Sequence, residues 1–166
     1  MIAAIRLKTG EVELQTTVVK NDPLLLENQF CFPLYACAKE VVRRYREPLE
    51  PLGLTYTQYL VMMTLWEYGG MTEGDLGKIL HLESGTLAPL LKRLEKQGLL
   101  TRSRLESNER KLFLDLTESG RTMRRRAEAV PFAMQDCIPL EKDELHMLKS
   151  LLGKAVERMH SESKEY

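Results

Sequence analysis

Three cysteines, Cys31, Cys37 and Cys137, with tyrosines close by in sequence, are the side chains best suited to chemistry in this 166-residue chain. On a helical wheel Cys31, Tyr35 and Tyr45 stand at offsets of 0, 4 and 14. At ~100° per residue they fall within about 80° of one another, with Ala38 and Val42 between them. Pro33 puts Cys31 at or just before the start of a helix, where unpaired backbone donors favour the thiolate. Phenol hydroxyls can donate to such a thiolate in a partly buried site. A thiolate of this kind reacts with peroxide to give a sulfenic acid, which a second thiol captures as a disulfide. The same pattern also fits a core cysteine beside core tyrosines, because free Cys is among the most buried residue types. Cys37, on the other side of the helix, is expected to pack. Cys137 follows Pro131 in a loop or helix start and is a candidate resolving thiol.

Other chemistries find less support. An odd cysteine count without a CxxC pair is not the framework of a disulfide-stapled secreted domain and points to a reducing cytoplasm. His81, His146 and His160 are scattered and the cysteines lack ligand spacing, so no metal or other cofactor is expected. No His, Arg or Thr stands near Cys31 as a dedicated activating group, which argues against a thiol peroxidase, and no enzyme activity is expected. No apolar run approaches the roughly 20 residues of a membrane span, and no secretory signal is evident.

Charge is distributed unevenly. The chain is neutral overall, but residues 84–126 hold eleven basic and five acidic residues, a surplus of +6 that leaves −6 on the remainder. A basic field of this kind suits phosphates, although a solvated face has the same composition.

The elements that must position these groups follow from caps and periodicity. In residues 1–20, Ile5, Leu7, Val12 and Leu14 alternate around Lys8-Thr9-Gly10-Glu11, as in a small hairpin or a flexible arm; no function is assigned to them. Asp22 as cap and Pro23 as first helical residue suggest a helix start, and a helical pattern runs to about Leu49. Pro33 breaks it, by a kink or by a new helix near Cys31. A helix from Thr55 to about Tyr68 ends at Gly69-Gly70. Thr72 caps the next, with Leu76, Ile79 and Leu80 as its apolar stripe. Ser84 caps a third, with Leu87, Leu90, Leu91 and Leu94 recurring at helical spacing before Gly98. Residues 99–105 and 111–116 form a β-hairpin around a polar tip at 106–110. Thr117 caps a helix that stops near Val130-Pro131. A last helix runs from about Leu140 to Met159, with Leu145, Leu148, Leu152, Val156 and Met159 on one face.

Helix, turn, helix and hairpin in this order form the winged helix-turn-helix layout. The fold class is therefore mainly α with a small β-hairpin wing. The expected organisation is an extension at 1–20, a helical segment with Cys31 at 21–53, the winged domain at 54–118, and C-terminal helices at 119–166. A helix entering the major groove leads with its N-terminal turn. Ser84, Gly85, Thr86 and Ala88 are small enough for close approach, and Pro89 lies early enough that its missing donor should cost little. Lys92 and Arg93 suit phosphates, as do Arg102 and Arg104 on the first wing strand. Arg110 at the tip suits a narrow minor groove, whose negative potential attracts guanidinium.

Four stretches resemble the organic-hydroperoxide-sensing repressors of the MarR family: Leu26-Glu27-Asn28-Gln29-Phe30-Cys31-Phe32, Leu54-Thr55-Tyr56-Thr57-Gln58-Tyr59-Leu60, Ser84-Gly85-Thr86-Leu87-Ala88-Pro89-Leu90-Leu91-Lys92-Arg93-Leu94-Glu95 and Asn108-Glu109-Arg110. The likeness covers roughly residues 24–160 and leaves out 1–20. It implies that the N- and C-terminal helical segments, 21–53 and 119–166, form the dimerisation region, with the sensor cysteine in the first. It implies that Cys31 is the peroxide-sensing thiol, that Tyr45 and Tyr56 hydrogen-bond it across a homodimer with Tyr35 nearby, and that Arg110 enters the minor groove. It also implies that Cys137 matches the resolving cysteine of the two-cysteine subgroup, which forms an intersubunit disulfide. Two positions depart from the family pattern. Asn108 replaces an Asp that would orient Arg110, and Glu83 stands where Asp is usual. The function implied is a repressor that leaves a pseudo-palindromic DNA operator when organic hydroperoxide oxidises Cys31. A repressor released by a small phenolic or aromatic ligand is the alternative.

Overall fold

The computed structural model describes residues 22–105 and 108–162, without the side chains of 105, 108–110 and 162. The expected hairpin within 1–20 and the side chains of Asn108 and Arg110 lie outside the described residues. Contacts divide the chain into two units, 1–37 and 38–166.

In the first unit the helix expected from Pro23 does not form. The Leu24 backbone N–H donates to Asp22 Oδ1 at 2.8 Å, Asn28 Nδ2 donates to the Asp22 carbonyl at 2.8 Å, and Gln29 Nε2 donates to the Pro23 carbonyl. The first of these is a cap bond, but the Asn28 and Gln29 side chains occupy the Asp22 and Pro23 carbonyls that a first helical turn would need. Only a 3-10 turn at Leu26–Asn28 appears. Helix α1 then spans Cys31–Arg44, so the break near Cys31 is a new helix start. Pro33 stands in its first turn, where a missing N–H is harmless. Phe30, Phe32, Leu34, Tyr35 and Cys37 are all exposed. Cys37 therefore does not pack as expected, because no buried face exists on this stretch.

The second unit contains the reader. After the turn residue Tyr45 come α2 (Arg46–Leu49), α3 (Tyr56–Tyr68), β1 (Met71–Thr72), α4 (Glu73–Leu80), α5 (Ser84–Lys96), β2 (Leu100–Leu105), β3 (Asn108–Leu116), α6 (Glu118–Ala127), α7 (Ala129–Ala133) and α8 (Lys142–Glu162). Three helix starts use the same device. Thr55, Thr72 and Thr117 each accept from the backbone N–H three residues on, and Thr55 completes a full capping box with Gln58. Ser84 does not cap α5. It is the first helical residue, and Glu83 precedes it without a side-chain cap.

Strands β2 and β3 pair antiparallel from Leu100↔Leu116 to Leu105↔Asn108, with a register shift after Arg104. The backbone of Arg110 therefore lies in β3, not in the tip. Strand β1, too short to register as a periodic run, adds to β3 at Met71↔Leu114 and Thr72↔Phe113, giving the order β1-β3-β2. The core gathers Leu65 of α3, Leu76 of α4, Leu87, Leu91 and Leu94 of α5, and Leu100 and Leu114 of the wing, all buried. Each contributes about 1.5–3 kcal/mol. Ile79, expected in the stripe of α4, is exposed; Leu76 alone is buried there, with Leu80 partly covered. Gly120 lets α6 cross the wing, because a Cβ there would meet the Leu99 carbonyl oxygen at 2.0 Å. Trp66 of α3 closes the same junction by donating from Nε1 to the Gly120 carbonyl at 2.9 Å. Beyond the expected stop near Pro131, that proline is taken into the short helix α7. Among the described residues no helix is long and apolar enough to cross a membrane.

Candidate functional site

The outward face of α5 is built by contrast with its inward face. Leu87, Leu91 and Leu94 are buried, while Ser84, Gly85, Thr86, Ala88, Pro89, Lys92 and Arg93 are all exposed. Gly85 has no atom within 4 Å of where a Cβ would stand. Pro89 falls farther into the helix than its expected role allowed, at the sixth helical position. With no N–H, it cannot make the bond that would return to the Gly85 carbonyl.

The two wing arginines divide. Arg104 is exposed and forms no ion pair among the described residues. Arg102 is only 24% exposed on its side chain, and its Nε and Nη2 donate to Glu95 Oε2 at 2.8 and 2.6 Å. Arg102 thus clamps β2 to α5, an ion pair with which the phosphate role expected for it would have to compete.

A second cluster lies within the same unit. Tyr45 and Tyr56 pack with ring centroids 4.6 Å apart and planes tilted by 45°, both half-buried against the core. Burial chiefly raises the pKa of each phenol; the nearby Cys137 sulfur adds to that, and for Tyr45 the Tyr56 ring does as well. Both therefore remain hydrogen-bond donors at neutral pH. Cys137 itself sits between α7 and α8, half-buried against the core. Its carbonyl accepts from Arg44 Nη1 at 2.9 Å. A cleft of about 810 Å³, bordered by Arg43, Arg44, Arg46 and Asp136, opens beside it. Tyr45 also lies 6.2 Å from Tyr59, and Tyr59 6.3 Å edge-on from Trp66. The four rings therefore run from Cys137 to the α3–α6 junction.

Cys31 and Tyr35 belong to the first unit: Cys31 is the first residue of α1, and both are exposed. No group of three metal-ligating side chains occurs among the described residues. His81 and His160, scattered in sequence, nevertheless meet ring to ring at 4.0 Å.

The model of the MarR family matches residues 54–112, from the start of α3 into the second wing strand. The chain is 40% identical over 144 residues to the organic hydroperoxide resistance transcriptional regulator of Bacillus subtilis (strain 168), covering 87% of this chain and 98% of that one. This chain belongs to the MarR family of transcriptional regulators. Among solved structures, AbfR of Staphylococcus epidermidis superposes with a TM-score of 0.65 at 37% identity, over 82% of this MarR chain and 94% of that one. AbfR has also been solved in reduced form bound to DNA, with a TM-score of 0.67, and with its disulfide formed, at 0.57. The mainly helical fold with its small antiparallel wing agrees with the expected winged architecture.

Two features of this MarR chain escaped sequence reasoning. The Glu40–Arg44 pair stands at i, i+4 spacing, a legible charge signal that had no apparent target. Tyr59 and Trp66, seven residues apart on α3, share a helical face, a periodic signal from which the ring series could have been read.

Proposed function

We propose that this protein is a homodimeric, DNA-binding repressor that senses organic hydroperoxides through Cys31 and resolves the oxidised sulfur with Cys137 of the other subunit. One observation carries this reading. The tyrosines that the family resemblance assigns to Cys31 of the partner subunit, Tyr45 and Tyr56, pack against the same core as this chain's own Cys137, whose carbonyl is held by Arg44, the residue next to Tyr45. A Cys31 sulfur that docks on those phenols therefore arrives close to a second thiol.

The chemistry has two steps. The Cys31 thiolate attacks the terminal oxygen of the hydroperoxide, the O–O bond breaks, and the alkoxide takes a proton to leave as the alcohol. The product is a sulfenic acid. The Cys137 thiolate then attacks that sulfur, the S–O bond breaks, and the hydroxide takes up a proton and leaves as water. The result is a disulfide between subunits, which a reducing cytoplasm would reverse. The tyrosines donate hydrogen bonds to the anionic sulfur in the first step.

The reduced dimer presents Ser84, Gly85, Thr86, Ala88 and Pro89 to the major groove of a pseudo-palindromic operator. Lys92, Arg93 and Arg104 meet phosphates, and Arg110 meets the minor groove. Movement of Tyr45 and Tyr56 reaches the reader through Tyr59 and Trp66. The loss of a few phosphate and base contacts costs several kcal/mol, enough for release.

The test is operator binding before and after tert-butyl hydroperoxide, for wild type, Cys31→Ser and Cys137→Ala. Wild type lets go of DNA, Cys31→Ser does not, and Cys137→Ala forms no intersubunit disulfide on a non-reducing gel. Normal release by Cys31→Ser would refute the redox reading.

A further inference from the structure

Arg44 ends α1 with its guanidinium committed in two directions. Its Nε donates to Glu40 Oε1 at 3.2 Å, while Nη1 donates to the Cys137 carbonyl at 2.9 Å, across 93 residues of sequence. Glu40 is gripped in turn by Arg43, whose Nε and Nη2 donate to its two oxygens at 2.8 and 2.7 Å. Arg43 first and Arg44 second hold the Glu40 carboxyl down to about 2, so it stays anionic at any working pH.

The residue so anchored lies on an irregular stretch. Between α7 and α8 the backbone bonds are short-range, among them Cys137 N–H to the Met134 carbonyl at 3.0 Å and Leu140 N–H to the Ile138 carbonyl at 2.9 Å. A surface carbonyl of this kind is ordinarily satisfied by water. Here a charged donor, itself fixed by a carboxylate, fastens it to the helix that leads directly into Tyr45. The bond selects one placement of the Cys137 backbone, next to the Tyr45–Tyr56 pair.

We propose that Arg44 is a positioning residue for the second oxidation step. Anchored by Glu40, it fixes the Cys137 backbone so that the thiol meets the sulfenic acid on Cys31 of the partner subunit before another hydroperoxide does. This rests on the two-cysteine reading above. Holding two reacting groups in place raises their effective concentration, and a freed loop loses that advantage. A sulfenic acid left waiting consumes a second equivalent of hydroperoxide, whose oxygen adds to sulfur to give the irreversible sulfinic acid and one more molecule of alcohol. Arg44 therefore protects the reversibility of the switch.

The test compares full-length wild type with Arg44→Met, Arg44→Lys and Glu40→Gln after one and ten equivalents of tert-butyl hydroperoxide. Dimedone trapping reads the sulfenic acid, non-reducing gels the disulfide, and intact mass the sulfinic acid. In Arg44→Met the Cys31 thiol is consumed at the wild-type rate. Its disulfide forms about fivefold more slowly, the worth of one exposed hydrogen bond. Trapped sulfenic acid and, at ten equivalents, sulfinic acid rise to match. Arg44→Lys, which keeps one donor, recovers most of the rate, and Glu40→Gln falls between. Disulfide formation as fast in Arg44→Met as in wild type, with no sulfenic acid accumulating, would overturn the proposal, as would an equal slowing of both steps. If wild type itself forms no Cys31–Cys137 disulfide, the two-cysteine reading fails first and Arg44 has no step to serve.

Discussion

Among the described residues between Leu49 and Met134 eighteen hydrophobic side chains are buried, whereas α8 is twice as long as α6 and buries none of its described residues. Leu145, Leu148 and Val156 of α8 are half-covered, and Leu152 and Met159 are exposed. Both regions carry apolar residues at helical spacing, yet only one has found a partner surface among the described residues. The reader closes on itself because three threonine-capped helices and a wing converge on one core. The stripe of α8 is what a helix looks like when its complement belongs to another molecule, and the proposed dimer supplies one.

That contrast can be broken most forcefully at Gly120. An alanine Cβ would run into the Leu99 backbone, which cannot yield, so Gly120→Ala should cost about 3 kcal/mol or more in chemical unfolding. A loss below 1 kcal/mol would mean that the α6–wing crossing is not tight. Next in size, Leu148→Glu with Leu152→Glu should raise the dissociation constant of self-association by at least about a hundredfold in analytical ultracentrifugation. The circular dichroism and thermal transition of the reader should stay near wild type. Unfolding of the whole chain instead would show that α8 belongs to the core after all.

Smaller effects sharpen the division within the reader. Arg104→Ala should weaken operator binding several-fold and lower the slope of log affinity against log salt by about 1. Arg102→Ala should leave that slope unchanged and cost at most about 1 kcal/mol of stability, because its charge is already spent on Glu95. Equal slopes for the two variants would erase the distinction. Smallest in stability is Gly85→Ala, which has open space for its methyl and should gain about 0.5 kcal/mol in thermal unfolding. It should nevertheless lose operator affinity if α5 enters the groove as proposed. A variant that is more stable and binds equally well would remove Gly85 from the interface.

Much of this fold could be read from the chain because the signals were local. Thr72 and Thr117 announce their helices through bonds to residues three positions on, and the leucines of α5 carry their own period. Misreadings came where a distant or competing partner decides. Ser84 had the chemistry of a cap, but the backbone turned helical one residue earlier. Asn28 and Gln29 take the carbonyls of Asp22 and Pro23 that a helix starting there would use. Arg102 looked free until the turn between α5 and β2 brought Glu95 beneath it. At the candidate site, the residue types were legible and their grouping was not. Tyr45 and Tyr56 are drawn to Cys137 by a core assembled from the whole second unit, and no spacing along the sequence encodes that meeting.

Trp66 is the chain's single tryptophan, and its indole sits at the end of the aromatic series that begins beside Cys137. Its emission is thus an unlabelled optical probe wired to the tyrosine pair. Stopped-flow fluorescence after a pulse of oxidant could time the arrival of the disturbance at the reader, with no dye attached and no DNA present.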